Sequence, residues 1–147
     1  MKAVLALALL LPVMASAATS YLCVADKATG MGFDKASGVW EVRTFRADSK
    51  YLVSEATERE EAIYAAKWLV KKMGSSSPTL LCPEGFSEIG FLFCENLGEF
   101  KFNRKSGRYL RSYTMGYFND MPGKAGPLRA EGDDTPAIEI GKCSPIN

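Results

Sequence analysis

The side chains able to do chemistry in this chain are few. None of its 147 residues is histidine. That removes Ser-His-Asp triads, Cys-His dyads and His-ligated metal sites together. A serine nucleophile would need a lysine base, and neither G-x-S-x-G nor S-x-x-K occurs after the N-terminal segment. With 17 acidic residues some carboxylate pair can always be drawn, so none is singled out for glycoside hydrolysis. Gly123-Lys124-Ala125-Gly126 lacks the GxxxxGK[ST] pattern and is flanked by proline. Glu131-Gly132-Asp133-Asp134, Asp26 and Asp34 offer oxygens to calcium but lack EF-hand spacing. The residues therefore imply no catalytic group, no metal and no cofactor.

The four cysteines are Cys23, Cys82, Cys94 and Cys143. No CxxC occurs among them, and their spacings fit no zinc pattern. An even count in a small exported chain reads as two disulfides. Three pairings are possible. Cys82–Cys94 with Cys23–Cys143 is preferred, because the first closes a hairpin and the second ties the first strand to the last.

A run of basic and aromatic residues is the best candidate surface. Lys101, Arg104, Arg108 and Arg111 alternate with aromatics up to Tyr113 and Tyr117. Lys101, Arg104, Arg108, Arg111 and Tyr113 are the binding residues it suggests. On strands, alternation turns such aromatics inward and such charges outward by default.

The elements that must carry these residues are mostly strands. Tyr21–Ala25, Val39–Phe45, Lys50–Ser54, Thr79–Cys82, Phe91–Cys94, Glu99–Asn103, Arg108–Tyr113, Gly116–Asn119 and Ala137–Ile140 are rich in β-formers. Gly30 and Gly32 suggest a bend, and 120–136 reads as a long loop. One helix is expected at about 58–73. Thr57-x-x-Glu60 is a capping box, acids open the segment, lysines close it, and Ala62, Ala66, Leu69 and Met73 form a stripe. Tyr64 and Trp68 would pair across one turn of it. The fold class expected is mainly β: an antiparallel meander forming a small barrel or sandwich with this one peripheral helix. Val24, Phe33, Trp40, Phe45, Leu52, Leu69, Leu81, Phe91, Phe93, Phe102, Tyr109, Tyr117 and Ile138 are the expected core.

Two segments echo each other. Phe33 to Trp40 and Phe102 to Tyr109 share F-[DN]-[KR]-x-S-G-x-[WY]. Asp or Asn opens a turn by bonding its own backbone, and Ser-Gly closes it with glycine at positive φ. Both segments are expected to be β-hairpins.

The N-terminus reads as an export signal. Lys2 precedes an apolar run from Ala3 to Val13, and Ala15-Ser16-Ala17 offers small residues for cleavage. The run is shorter than the about 20 residues of a membrane span. A signal peptide over 1–17 (or 1–18) would leave one disulfide-stabilised domain over 18–147, periplasmic or secreted. Loss of Lys2 leaves 17 basic residues, equal to the acidic count. So balanced a charge exerts no general pull on nucleic acid.

The strings C-V-A-D-K-A-T-G-M-G-F, K-Y-L-V, G-F-x-F-C, F-N-R-K-S-G and P-A-I-E-I-G-K-C together resemble small uncharacterised exported bacterial proteins. The resemblance implies a fold and carries no activity or functional residue with it. Two classes of function remain. One is a non-enzymatic binding module, an inhibitor or an envelope interaction protein, whose partner is a protein of the envelope or extracellular space. The other is a small-ligand carrier using a barrel interior. The abundance of Phe and Tyr favours a filled interior, and hence the first.

Overall fold

A computed structural model describes residues 20–119, 132 and 134–146. The expected signal peptide, Gly123–Gly126, Glu131 and Asp133 lie outside the described residues. The strands are β1 (Ser20–Asp34), β2 (Val39–Phe45), β3 (Lys50–Glu55), β4 (Trp68–Lys72), β5 (Leu80–Cys82), β6 (Phe91–Glu95), β7 (Glu99–Asn103), β8 (Arg108–Tyr113) and β9 (Ala137–Ile146). Helix α1 (Glu58–Tyr64) follows β3, and α2 (Gly116–Asn119) follows β8.

All pairings are antiparallel, in the order β2-β1-β3-β4-β5-β6-β7-β8-β9, and β9 returns to β1. Eight strands thus close a barrel. β2 stands outside that circuit. The N-terminal half of β1 pairs with β3 and its C-terminal half with β2, so β2 and β3 run end to end along one edge of β1. The β1–β2 hairpin extends beyond the last β1–β9 pair, Gly30 with Ala137.

Both echoed segments are hairpins of one local design. Asp34 Oδ1 accepts from the Ala36 N–H at 2.8 Å, and Asn103 Oδ1 from the Lys105 N–H at 2.9 Å. Gly38 and Gly107 have φ of 71° and 66° and donate back to the carbonyls of Asp34 and Asn103. Only glycine holds that backbone without strain.

The helix is shorter than its periodicity predicts. The capping box forms, with Thr57 N–H on Glu60 Oε2 at 3.0 Å and Glu60 N–H on Thr57 Oγ1 at 3.3 Å. The helix then stops at Ala65, which takes φ of 51°. Trp68 to Lys72 becomes β4, between β3 and β5. The expected Tyr64–Trp68 pair is therefore broken: Trp68 packs on Phe86, ring centroids 4.9 Å apart, against the core. Two open strand edges outweigh the modest helix propensity of Trp-Leu-Val. Gly30 and Gly32 lie within β1 rather than at a bend. Gly116–Asn119 is helical, not a strand, because the last β8–β9 pair is Tyr113 with Ala137 and no ladder continues past it. β9 runs on to Ile146, pairing Cys143 with Cys23.

The interior is filled by Tyr21, Cys23, Tyr51, Val53, Val70, Leu80, Cys82, Leu92, Cys94, Phe100, Phe102, Tyr109 and Cys143. Phe100 stacks on Tyr109 at 4.8 Å, and Tyr21 meets Phe102 edge-on at 4.9 Å. The disulfides are Cys23–Cys143 and Cys82–Cys94, both inside the barrel. Of the expected core, Leu69, Phe102 and Tyr109 are buried, and Phe33, Trp40, Phe45, Leu52 and Leu81 are half-buried. Val24, Phe91, Phe93, Tyr117 and Ile138 are exposed. Strand alternation is the reason: each of Val24, Phe91, Phe93 and Ile138 has the opposite parity to the inward residues of its own strand.

Candidate interaction surface

Alternation also divides the basic and aromatic run. Lys101 and Arg108 point outward, while Arg111 and Tyr113 share the inward parity of Tyr109. Arg104 sits in the β7–β8 turn with its guanidinium 4.9 Å from the Phe86 ring centre. The five residues do not form one face.

The inward members build a polar end to the core. Arg111 lies opposite Glu139 on β9, and its guanidinium is 5.9 Å from the Tyr51 ring centre. Tyr109 donates its hydroxyl to Glu139 Oε1 at 2.9 Å. Burial, then the Glu139 contact, push the Tyr109 phenol far above its ordinary range. Burial likewise raises Tyr51. Tyr113 donates to Asp134, just ahead of the neighbouring strand β9. Of these groups Tyr109 and Glu139 are joined directly, while the Arg111 Nε is buried without an acceptor.

The outward residues form a different surface, across β6, β7, β8, β9 and β1. One row in register is Phe93–Lys101–Leu110–Ile140–Lys27. The next is Phe91–Asn103–Arg108–Lys142–Val24. Phe93 is 58% exposed, and Phe91 stacks on it with centroids 6.0 Å apart. Val24, Leu110, Ile138 and Ile140 are exposed beside them. Apolar groups that lie side by side on one exterior call for an explanation, whereas scattered ones do not.

Cations punctuate this apolar field. Lys27, Lys101, Arg108 and Lys142 are exposed. Lys101 is paired with Glu99 at 2.7 Å. Arg108 and Lys142 stand directly opposite each other in the β8–β9 ladder. Like charges in that position cost stability. They share a depression of about 290 Å³ with Asp26 and Ile140. A larger groove, about 350 Å³, runs beside Phe93 between Pro83–Glu84 and Glu95, Glu99 and Lys101. A third, about 260 Å³, lies over Thr29, Ile138 and Ile140.

Phe91, Phe93 and Ile140 were not among the binding candidates that the sequence suggests. Cysteine parity was the available signal. Cys94 must face Cys82 inside, so Leu92 is inward and Phe91 and Phe93 are outward. Cys143 fixes Ile138 and Ile140 outward in the same way.

Among the described residues, no three His, Cys, Asp or Glu side chains converge as a metal site, and no helix is long and apolar enough to cross a membrane. No protein-family model, curated protein or solved structure matches the chain.

Proposed function

We propose that this is an exported, non-enzymatic binding module that engages a protein through the outer face of β6–β7–β8–β9–β1. The observation carrying the reading is that apolar side chains occupy both faces of the sheet. The barrel interior is packed with aromatic rings and disulfides, while Phe91, Phe93, Leu110, Ile138 and Ile140 are left outside. A carrier would need a lined chamber large enough to bury its ligand. Here the grooves lie on the exterior. Strands β5 to β8 have 3, 5, 5 and 6 residues, short of the about 9–11 of a lipid-spanning strand. A protein surface therefore fits the exposed field better than acyl chains do. Arg108 and Lys142 would meet carboxylates there, which relieves their mutual repulsion. Two buried disulfides suit the oxidising compartment that the N-terminal signal implies.

The test is native mass spectrometry of protein purified gently from the exporting cell, beside a Phe93→Ser, Leu110→Ser, Ile140→Ser variant. A second polypeptide retained by the parent and lost by the folded variant supports the module. A reproducible added mass of a few hundred daltons, unaffected by the variant, would overturn it in favour of the carrier.

A further inference from the structure

The outer edge of β2 belongs neither to the barrel circuit nor to the surface just described. β2 pairs with β1 from Val39 to Phe45, and among the described residues its other edge meets no strand. β4 would be the next strand on that side, but its ladder with β3 ends at the Tyr51–Lys72 pair. Seven residues, Val-Trp-Glu-Val-Arg-Thr-Phe, thus form an edge rich in β-formers, and none of them is buried. Val42 is 79% exposed. The edge has no proline and no bulge along its pairing with β1, two of the devices by which sheets discourage edge-to-edge association. β1 holds it in extended conformation, so little ordering remains for an added strand.

The charge pattern indicates which strand would fit. Glu41 and Arg43 flank Val42 symmetrically. In an antiparallel pair related by a two-fold axis through the sheet, opposed residues must share a face, so one residue meets its own copy at the axis. Centred on Val42, this arrangement places each Glu41 opposite an Arg43. It also sets Trp40 opposite Thr44 and Val39 opposite Phe45. Centred on Glu41 or Arg43, it would put like charges face to face. The charged side chains are accessible: Arg43 and Glu41 are 45% and 51% exposed and 3.7 Å apart within one chain, whereas Trp40 is half-buried against Phe33 and Tyr117.

We infer that β2 is a homodimerisation edge, joining two copies of this chain antiparallel about Val42 into one sheet continuous across both barrels. The inference does not depend on the outer-face reading, which concerns a face of the sheet rather than its edge, although Thr44 of β2 also walls the groove over Ile138 and Ile140.

Sedimentation velocity on the full disulfide-bonded chain tests it. The wild type is expected to dimerise in a concentration-dependent manner. Glu41→Arg and Arg43→Glu, each exposed, are expected to weaken the dimer about tenfold or more by making both cross-strand charge pairs repulsive. Circular dichroism checks that each variant stays folded. An equimolar mixture of the two single variants should form a heterodimer, because every Arg then faces a Glu. The double variant should dimerise like the wild type. A wild type that stays monomeric at 100 μM concentration, roughly the upper end of useful affinity, overturns the inference. So does a dimer indifferent to either charge reversal, or single variants that fail to rescue each other.

Discussion

Arg111 and Arg108 are three residues apart and have opposite fates, which makes them the sharpest test at the scale of single residues. Arg111 enters the barrel, where its Nε is buried without a hydrogen-bond acceptor and its guanidinium lies by Tyr51 and Glu139. Arg111→Ala would leave buried Glu139 with the Tyr109 hydroxyl and without its opposing cation. The expected loss is about 1–2 kcal/mol, the side chain being half-buried against Tyr51, read as a shift of the urea midpoint. Arg108→Glu should stay within about 0.5 kcal/mol, or stabilise slightly, because it replaces a repulsive pair with Lys142 by an attractive one. Equal losses in the two variants would refute the inward placement of Arg111. The phenols give a second readout. Tyr51 and Tyr109 are held above the ordinary tyrosine range by burial. Their neutral forms stabilise the fold fully below about pH 10, and that contribution is lost as pH rises beyond it. Ultraviolet titration of the native protein should show Tyr51 and Tyr109 ionising only on alkaline unfolding.

Elements were legible where their signals were local. Turn chemistry at Asp34 and Asn103, the capping box at Thr57 and the closing hairpin cysteines need only neighbouring residues, and each forms as its sequence requires. Trp68 to Lys72 failed as helix because its destination is set by strands distant in sequence. Hydrophobicity alone does not choose the inner face of β6, where Phe91 and Phe93 oppose Leu92 and Cys94, and it points the wrong way in β9, where Ile138 and Ile140 are outward and Glu139 and Gly141 inward. Cysteine positions do choose it, and through it the outer surface. Helix α1 offers a prediction at this scale. Its Glu60 carboxylate takes a 2.6 Å ion pair from Lys71 on β4. The Lys71 hydrogen bond, followed by those from Thr57, lowers the Glu60 pKa to about 2. A depressed carboxylate stabilises above its ordinary range and loses that effect as pH falls from about 4.5 toward about 2. Glu60→Gln should therefore be less stable than the parent at pH 6, with the gap in thermal midpoint closing toward pH 2. A gap independent of pH would mean that α1 is held by packing instead.

The whole molecule is a closed sheet whose seams are unequal, and the two disulfides serve different seams. β1 and β9 pair from Ser20 to Gly30, so Cys23–Cys143 joins strands that an extensive ladder already holds. β5 and β6 share only the Leu81–Glu95 register pair, and Cys82–Cys94 crosses that gap. Chain entropy ranks the links the other way. A loop of 120 residues restricts the unfolded chain by about 5 kcal/mol and one of 12 by about 3, as upper estimates. Global stability and local closure should therefore separate. Replacing Cys23 and Cys143 by serine should lower the unfolding free energy more. Replacing Cys82 and Cys94 should lower it less, yet expose the amides of β5 and β6 to hydrogen exchange well before the rest of the barrel opens. This second effect reaches the proposed binding surface, because Phe91 and Phe93 are carried on β6 and the groove beside Phe93 is walled by Pro83 and Glu84. A Cys82→Ser, Cys94→Ser protein that stays folded but loses its partner would tie the short disulfide to recognition. Unchanged exchange across β5 and β6 in that variant would show that side-chain packing alone closes the seam.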